Sequence, residues 1–387
     1  MFQIRRKEKT NKSAFSNAAG TAFTSRFESG DTTFMGNINR LEYMLYESLR
    51  ANVPILDACI LKIVRLTGGF ELVASDEHWQ EELSRFQRTV PVGISGVSLN
   101  EFADIHLDSM LTYGRGIGEI VMDDGKVLGL YNGDPTAFKV TRGENPCDRR
   151  YYALSGSEDI LLPHPERILY SCLNANPKNP FGVSIFRGIP ALAGVLMKIY
   201  RSIGQNFERV GNVRYAVTYK PQGETDAAFA KERAVQIAKE WSEGMTMTKS
   251  GDVRDFVAVG DVDIKVIGAD NQVIDTEVPV RQIIEQMISK LSIPPFLLGL
   301  NWSSTERMST QQCDILTSEL EYYRRIITPV IIQAANAYLA SVGADCEADV
   351  KWSSINLLDK TELAKARLYN AQAKQLEILN DKEDQNG

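Results

Sequence analysis

The residues of this 387-residue chain that could do chemistry are few and set far apart. The three histidines, His78, His106 and His164, form no HExxH or HxH pair. Zinc held at one helix face or strand needs that kind of spacing. His164 stands between Pro163 and Pro165, two residues from Glu166, so an imidazole–carboxylate pair in a loop is the nearest approach to an acid–base site. Asp261, Asp263, Asp270 and Asp275 cluster without the alternating ligands of a calcium loop and read as a solvated edge. No serine or cysteine sits in a GxSxG elbow. Gly114-Arg115-Gly116-Ile117-Gly118 imitates a dinucleotide loop, but a phosphate needs a strand before the glycines and a helix after them. Here the order is helix, glycines, strand, so a helix-to-strand turn is expected. A P-loop motif is missing as well. The reading is therefore not an enzyme, with no catalytic residue, metal or cofactor.

Composition narrows the class. The 43 basic and 50 acidic side chains leave a net charge of −7, and 43% of residues are hydrophobic. That suits a globular chain of two or three units and argues against a broad basic grip on nucleic acid. Five cysteines (Cys59, Cys147, Cys172, Cys313, Cys346) with no CxxC pair read as free thiols of a reducing compartment. The basic start (Arg5, Arg6, Lys7, Lys9, Lys12) is followed by no apolar run, so no secretory signal is read there. Ile326 to Val342 is broken by Thr328, Pro329, Gln333 and Asn336, and no membrane partner is expected.

The elements that would carry any site follow from periodicity. Residues 1–38 show none, and Phe15, Phe23, Phe27 and Phe34 favour an extended arm that docks over a free tail. Two helices separated near Asn52 and Pro54, a strand at Phe70 to Ala74, and helices at His78 to Arg88 and Ser98 to Leu111 come next. Ser98 and Glu101 have capping-box spacing. A hairpin turning at Asp124-Gly125 and strands at 138–141, 151–154 and 167–171 complete an α+β unit. Pro190 to Val210 is an amphipathic helix about 30 Å long, with Lys198, Arg201, Ser202, Gln205 and Arg209 opposite its apolar stripe. A small α/β insert, with a helix at Thr225 to Glu243 and a strand at Phe256 to Val259 among its parts, leads to a second helix, Pro279 to Leu291. On the insert, basic Lys220, Lys231, Lys239 and Lys249 alternate with acidic Glu224, Asp226, Glu232 and Glu240, as a solvated face or a mixed-charge partner surface would. A long helix is expected from Thr310 to Val342, capped by Ser309 with Gln312 and kinked at Pro329, then a strand (348–352) and a helix (359–379).

The order of these parts resembles the portal, or head-to-tail connector, proteins of long-tailed bacteriophages. The resemblance runs from about residue 40 to 370. It is carried by Asn179-Pro180-Phe181-Gly182-Val183-Ser184 before the first long helix, the passage Phe207 to Tyr215, and above all Ile293-Pro294-Pro295-Phe296-Leu297-Leu298-Gly299 before a polar loop and a long proline-containing helix. It implies a ring oligomer, typically a dodecamer, whose α+β subunit has an arm (1–38), a wing (39–188), a first stem helix (189–211), a clip (212–277), a second stem helix (278–292), a Pro-Pro turn and tunnel loop (293–309), a kinked wing helix (310–343) and a C-terminal strand with a short crown helix (344–387).

The resemblance also implies roles. Asn301, Trp302, Ser303, Ser304, Thr305, Glu306 and Arg307 would form the tunnel loop on the DNA channel, with Lys198, Arg201, Gln205, Arg281, Gln282 and Glu285 lining the stem. Lys231, Lys239, Glu240 and Trp241 would present the clip to partners, and Pro329 would set the helix kink. The implied partners are further copies of the chain, double-stranded DNA, the large terminase subunit, a head–tail adaptor, the major capsid protein and a scaffold. The implied location is the portal vertex of a virion assembled in host cytoplasm. The acidic balance fits a conduit, because a continuous basic lining would hold the duplex by counterion release. Two other readings stay open: an intracellular enzyme built around His164 and Glu166, and a different virion component such as an adaptor.

Overall fold

A computed structural model describes residues 35–143, 145, 147–155, 158–177, 179–211, 214–220, 229–249, 261–267, 276–300, 306–355, 357 and 372. The arm up to residue 34, the strand expected at 256–259, the loop 301–305 and the C-terminal helix expected at 359–379 lie outside them, apart from residue 372. The chain divides into two compact units, one formed by residues up to 193 and from 283 onward, the other by residues 194–282. Both mix helix and sheet.

The larger unit begins with α1 (Met35–Asn52) and α2 (Pro54–Thr67). Pro54 opens α2, where its missing N–H removes no ladder bond. β1 (Phe70–Ala74) follows, then a 3-10 turn (Glu77–Trp79) and α3 (Gln80–Thr89). The sequence places that helix at His78; Asp76 caps the 3-10 turn instead, by accepting from the His78 N–H. Next come the short strands β2 (Pro91–Val92) and β3 (Gly96–Val97), and α4 (Leu99–Tyr113). Ser98 caps α4 by accepting from Glu101 N at 3.2 Å, while the Glu101 carboxylate reaches back to Val97 N at 2.9 Å, one residue earlier than the standard box.

β4 (Arg115–Asp123) and β5 (Lys126–Asn132) form the expected hairpin. Asp124 and Gly125 both have positive φ, +46° and +75°, as a primed turn requires. β6 (Phe138–Arg142), β7 (Arg149–Ser155), β8 (Glu158–Leu161) and β9 (Ile168–Cys172) follow. β3, β2, β5, β4 and β9 make one five-stranded sheet in that order, and β6, β7 and β8 a three-stranded one. Ile117, Ile168 and Tyr170 meet Val140 and Tyr151 in the core between them.

α5 (Ile189–Gly211) leads into the smaller unit, where β10 (Arg214–Lys220) pairs antiparallel with β11 (Asp261–Ile267). The intervening helix α6 (Ala230–Lys249) takes in residues 230–243 of the helix expected from Thr225 and runs on to Lys249, while 225–228 lie outside the described residues. α7 (Glu277–Lys290) returns the chain. The long helix α8 (Glu306–Ser341) and β12 (Ala348–Trp352) complete the larger unit, with β12 antiparallel to β1.

α8 corrects one expectation. It opens at Glu306, so Ser309 lies inside it rather than at its N-cap. Glu306 and Arg307, assigned by resemblance to the tunnel loop, form the first helical turn, and an acidic residue at that position suits the helix dipole. The helix runs on through Pro329, which offers no N–H to the ladder. Arg324 on α8 is buried, donates from Nε to the Thr67 carbonyl at 2.9 Å and lies 4.9 Å over the Trp352 ring. It thus satisfies an orphan carbonyl at the end of α2 and ties α8 to β12. Arg50 does the same among α1, α2 and α4, bonding Asp57 at 2.7 Å, Asp108 at 3.0 Å and the Thr112 hydroxyl at 2.9 Å.

Candidate functional site

The Gly114–Gly118 run is a packing device. Tyr113 ends α4, Gly114 takes φ +83° as its left-handed cap, and β4 starts at Arg115. A Cβ on Gly116 would fall 2.5 Å from the His106 ring, and one on Gly118 would fall 2.8 Å from Phe102, so both glycines let β4 lie directly on α4. His106 is fully enclosed there, and burial pushes its imidazole down to about 4. Its Nε2 meets the Ser171 hydroxyl at 2.8 Å, and Ser171 is within 3.3 Å of Met110 Sδ. Nδ1 has no partner. With the proton on Nε2, only a lone pair is left unmatched, the cheaper of the two tautomers.

The Gly182-x-Ser184 motif gains a physical reason from the same corner. The Ser184 hydroxyl donates to Thr112 O at 2.6 Å and accepts from Phe186 N at 3.0 Å. Ile185 N reaches Leu111 O, and Leu173 N reaches Gly114 O at 2.8 Å. These bonds use up carbonyls that the end of α4 leaves without helical donors. Gly114 and Gly182 both have positive φ and stand backbone to backbone, so a side chain on either would collide. The turn therefore fixes where α5 starts. Ile293–Gly299 is a comparable device: Pro295 opens a 3-10 turn (Pro295–Leu298), and Gly299 ends it at φ +76°.

α5 departs from the core as its sequence foretells. Ile189, Ala193 and Leu196 are buried, but from Met197 to Phe207 no side chain is. Val195, Met197, Tyr200 and Phe207 are exposed apolar residues of this helix. Lys198, Arg201 and Gln205 share another face at three- and four-residue steps, all exposed. On α7 no side chain from Glu277 to Gln286 is buried: Arg281 and Gln282 are exposed and Glu285 is half-buried. Lys231, Lys239 and Glu240 are exposed on α6, where Glu240 accepts from the Gln236 amide at 3.3 Å. The side chains of Trp241 and Glu306 and the residues Asn301, Trp302, Ser303, Ser304 and Thr305 lie outside the described residues; Arg307 is exposed. Among the described residues, Lys198, Arg201 and Gln205 are exposed on α5, Arg281 and Gln282 on α7, and Lys231, Lys239 and Glu240 on α6. Pro329 is exposed.

His164 and Glu166 do pair, at 2.9 Å, in solvent. The residue's own backbone N–H, then His164, hold the Glu166 carboxyl below the usual carboxylate range. Glu166 also lines an open depression of about 640 Å³ with Cys147, Asp148, Arg149, Arg150 and Tyr151. No described serine or cysteine is bonded to the pair in the way an activated nucleophile requires. Among the described residues no group of three or more His, Cys, Asp or Glu could hold a metal ion, and no helix is long and apolar enough to cross a membrane.

No protein-family model matches the chain, and no curated protein does. Solved structures do. A chain in the virion of a native gene transfer agent particle superimposes with a TM-score of 0.59 at 15% identity, over 92% of this chain and 94% of that one. This chain has the fold of that particle's chain. Another, in the neck of the native particle computed with C12 symmetry, gives 0.56 at 16% identity over 84% of this chain and 88% of that one. An HK97-family phage portal protein from Corynebacterium diphtheriae aligns more loosely, with a TM-score of 0.39 at 11% identity over 76% of this chain and 92% of that one.

Neither the buried corner at Gly114, Gly182 and Ser184 nor the bare sheet face described below was singled out from sequence as a site. The signal for the corner was present in the paired glycines. The sheet face left no signal, because exposed valine and leucine in a strand look like any other strand residues.

Proposed function

We propose that this chain is the subunit of a viral portal, a ring at one capsid vertex that serves as the channel for packaging and ejecting double-stranded DNA. The observation that carries this reading is the fold it shares, over nine-tenths of its length, with a chain of a gene transfer agent virion. A similar chain belongs to a particle neck computed with twelvefold symmetry, which favours a dodecamer here. The motif order around Gly182, Ser184 and Ile293–Gly299 supports the same assignment, as does the run of unburied apolar residues on α5. Side-by-side packing of copies in a closed ring would cover such a stripe, because closure satisfies every head-to-tail interface.

In this reading α5 and α7 are the stem, 212–277 the clip, and Lys198, Arg201, Gln205, Arg281, Gln282 and Glu285 face the duplex. Asn301 to Arg307 narrow the channel, with Glu306 and Arg307 now on the first turn of α8. Lys231, Lys239, Glu240 and Trp241 meet the large terminase subunit during packaging and the head–tail adaptor afterwards. The wing and crown contact the major capsid protein and the scaffold. Sparse lysines and arginines in an acidic subunit let DNA slide, since each neutralised phosphate adds to the hold.

Negative-stain imaging with light scattering of the purified full-length protein tests the proposal. Annular particles of about 520 kDa are expected, twelve copies of a 43.2 kDa chain. A compact single chain at every concentration, together with no annulus in assembled particles, overturns it.

A further inference from the structure

The five-stranded sheet has two faces, and only one is fully covered. Gly116, Gly118 and Ile120 turn inward, the glycines directly under His106 and Phe102 of α4. Ile117, Glu119 and Val121 therefore turn outward. At the β9 side the three-stranded sheet roofs this outer face: Ile117, Ile168 and Tyr170 are buried under Val140 and Tyr151, and the buried Arg115 donates to Pro135 O and Phe138 O. Beyond Ile117 the roof stops. Register then lays a row across four strands: Val97 opposite Pro91, Pro91 against Gly129, and Gly129 opposite Val121. Tyr131, opposite Glu119, adjoins this row, and Leu128 stands at the bulge beside it. Val97 is 56% exposed, Leu128 55%, Tyr131 47% and Val121 39%. No described element covers them. A contiguous apolar strip of this kind on a sheet face marks an occupied surface.

Chain length and charge identify the occupant. The first 34 residues carry six basic and three acidic side chains, so 37 of the 43 basic and 47 of the 50 acidic side chains belong to the rest. Five of the chain's 15 phenylalanines, Phe2, Phe15, Phe23, Phe27 and Phe34, are in that segment, whose other large apolar side chains are Met1 and Ile4. The bare strip offers a matching surface: apolar in the middle, with exposed Glu119, Asp123 and Asp124 on β4 and its turn, and Lys126 opposite Asp123. The segment also starts from the right place. It runs into α1, whose Tyr43 ring lies 5.2 Å from the Arg115 guanidinium at the beginning of β4. Met35 is two helical turns before Tyr43, about 12 Å, and Val121 is about 20 Å along β4 from Arg115. A 34-residue segment spans up to ~110 Å when extended, several times what is needed.

We propose that the chain's own N-terminal segment, through its phenylalanines and basic residues, docks on the bare half of the five-stranded sheet formed by Val97, Pro91, Val121, Leu128 and Tyr131. This inference does not depend on the portal reading.

Photo-crosslinking of the full-length protein tests it. Tyr131→p-benzoylphenylalanine and, separately, Leu128→p-benzoylphenylalanine place the probe on exposed side chains of the bare strip. Irradiation is expected to give a cross-link to peptides within residues 1–34, and the product is expected to run at single-chain mass under denaturing conditions. The double change Phe23→Ser and Phe27→Ser is expected to lower the yield at least fivefold while leaving the thermal midpoint unaltered. A cross-linked product at twice the chain mass assigns the face to a second copy and overturns the proposal. So does a cross-link that maps outside residues 1–34, an unchanged yield in the serine variant, or no cross-link at all.

Discussion

His106 illustrates how a residue type that suggests catalysis is put to structural use. The ring is sealed between Phe102, Gly116 and Ser171, and its ionisation is held down to about 4 by burial alone. In the unfolded chain the same group titrates near 6.5. Between these values the unfolded state binds a proton that the folded state refuses. Stability therefore falls as pH drops from 6.5 towards 4 and levels off below. About 2.5 units of displacement correspond to roughly 3 kcal/mol at the bottom of that window. Urea unfolding at pH 7 and pH 4 measures it: His106→Leu, weaker at pH 7 for want of the Ser171 bond, should lose about 3 kcal/mol less than wild type on acidification. Gly182 makes a sharper case. A Cβ there meets the Gly114 carbonyl in a backbone already at φ +93°, so Gly182→Ala forces the turn off the end of α4. A loss of ~3 kcal/mol or more is expected, against about 1–3 for Ser184→Ala, which removes one hydroxyl and leaves Thr112 O unmatched. Equal, small effects from both would mean that the close approach does not constrain the corner.

At the scale of elements, β1 shows how a strand edge is closed without another strand. One edge pairs with β12. The other is met by two glutamines of α3: Gln80 accepts from Ala74 N and donates to Leu72 O, both at 2.8 Å, while Gln87 accepts from Leu72 N at 3.0 Å and donates to Phe70 O at 2.5 Å. A side-chain amide offers a C=O acceptor beside an N–H donor, as a peptide group of a strand does, so a helix can imitate a neighbouring strand and blunt the edge. Gln87→Leu keeps the volume but leaves a buried N–H and a C=O without partners, which should cost about 2–4 kcal/mol and raise exchange of the Leu72 amide at least tenfold. None of this pairing was readable in advance, because the two glutamines looked like polar positions of an amphipathic helix. What was legible came from local signals: Asp124-Gly125 announced the primed turn, Ser98 the start of α4, and the three- and four-residue apolar repeat almost the full extent of α5. The start of α8 was misread because Ser309 and Gln312 imitate a capping box inside a continuous helix. A local motif gives no sign of whether the chain before it is already helical.

For the molecule as a whole, the deciding quantity is apolar surface that the single chain leaves in water. Val195, Tyr200 and Phe207 on α5 are exposed and together would gain several kcal/mol on burial, at roughly 1.5–3 kcal/mol per large side chain. In one copy that gain is forgone; in the ring proposed above every copy would collect it, so assembly and folding would respond to these residues differently. Tyr200→Ser with Phe207→Ser should leave the far-ultraviolet dichroism and the thermal midpoint of the larger unit within experimental error, because neither side chain is buried in it. The same double variant should shift the mass distribution from the ring towards single chains, by about 2–4 kcal/mol per interface. Mass photometry across a hundredfold dilution separates the two effects. Loss of the ring with an unchanged midpoint ties these residues to contacts between copies. A lowered midpoint with the ring intact would place them in the fold of one chain and count against the proposed role of α5 as a stem between copies.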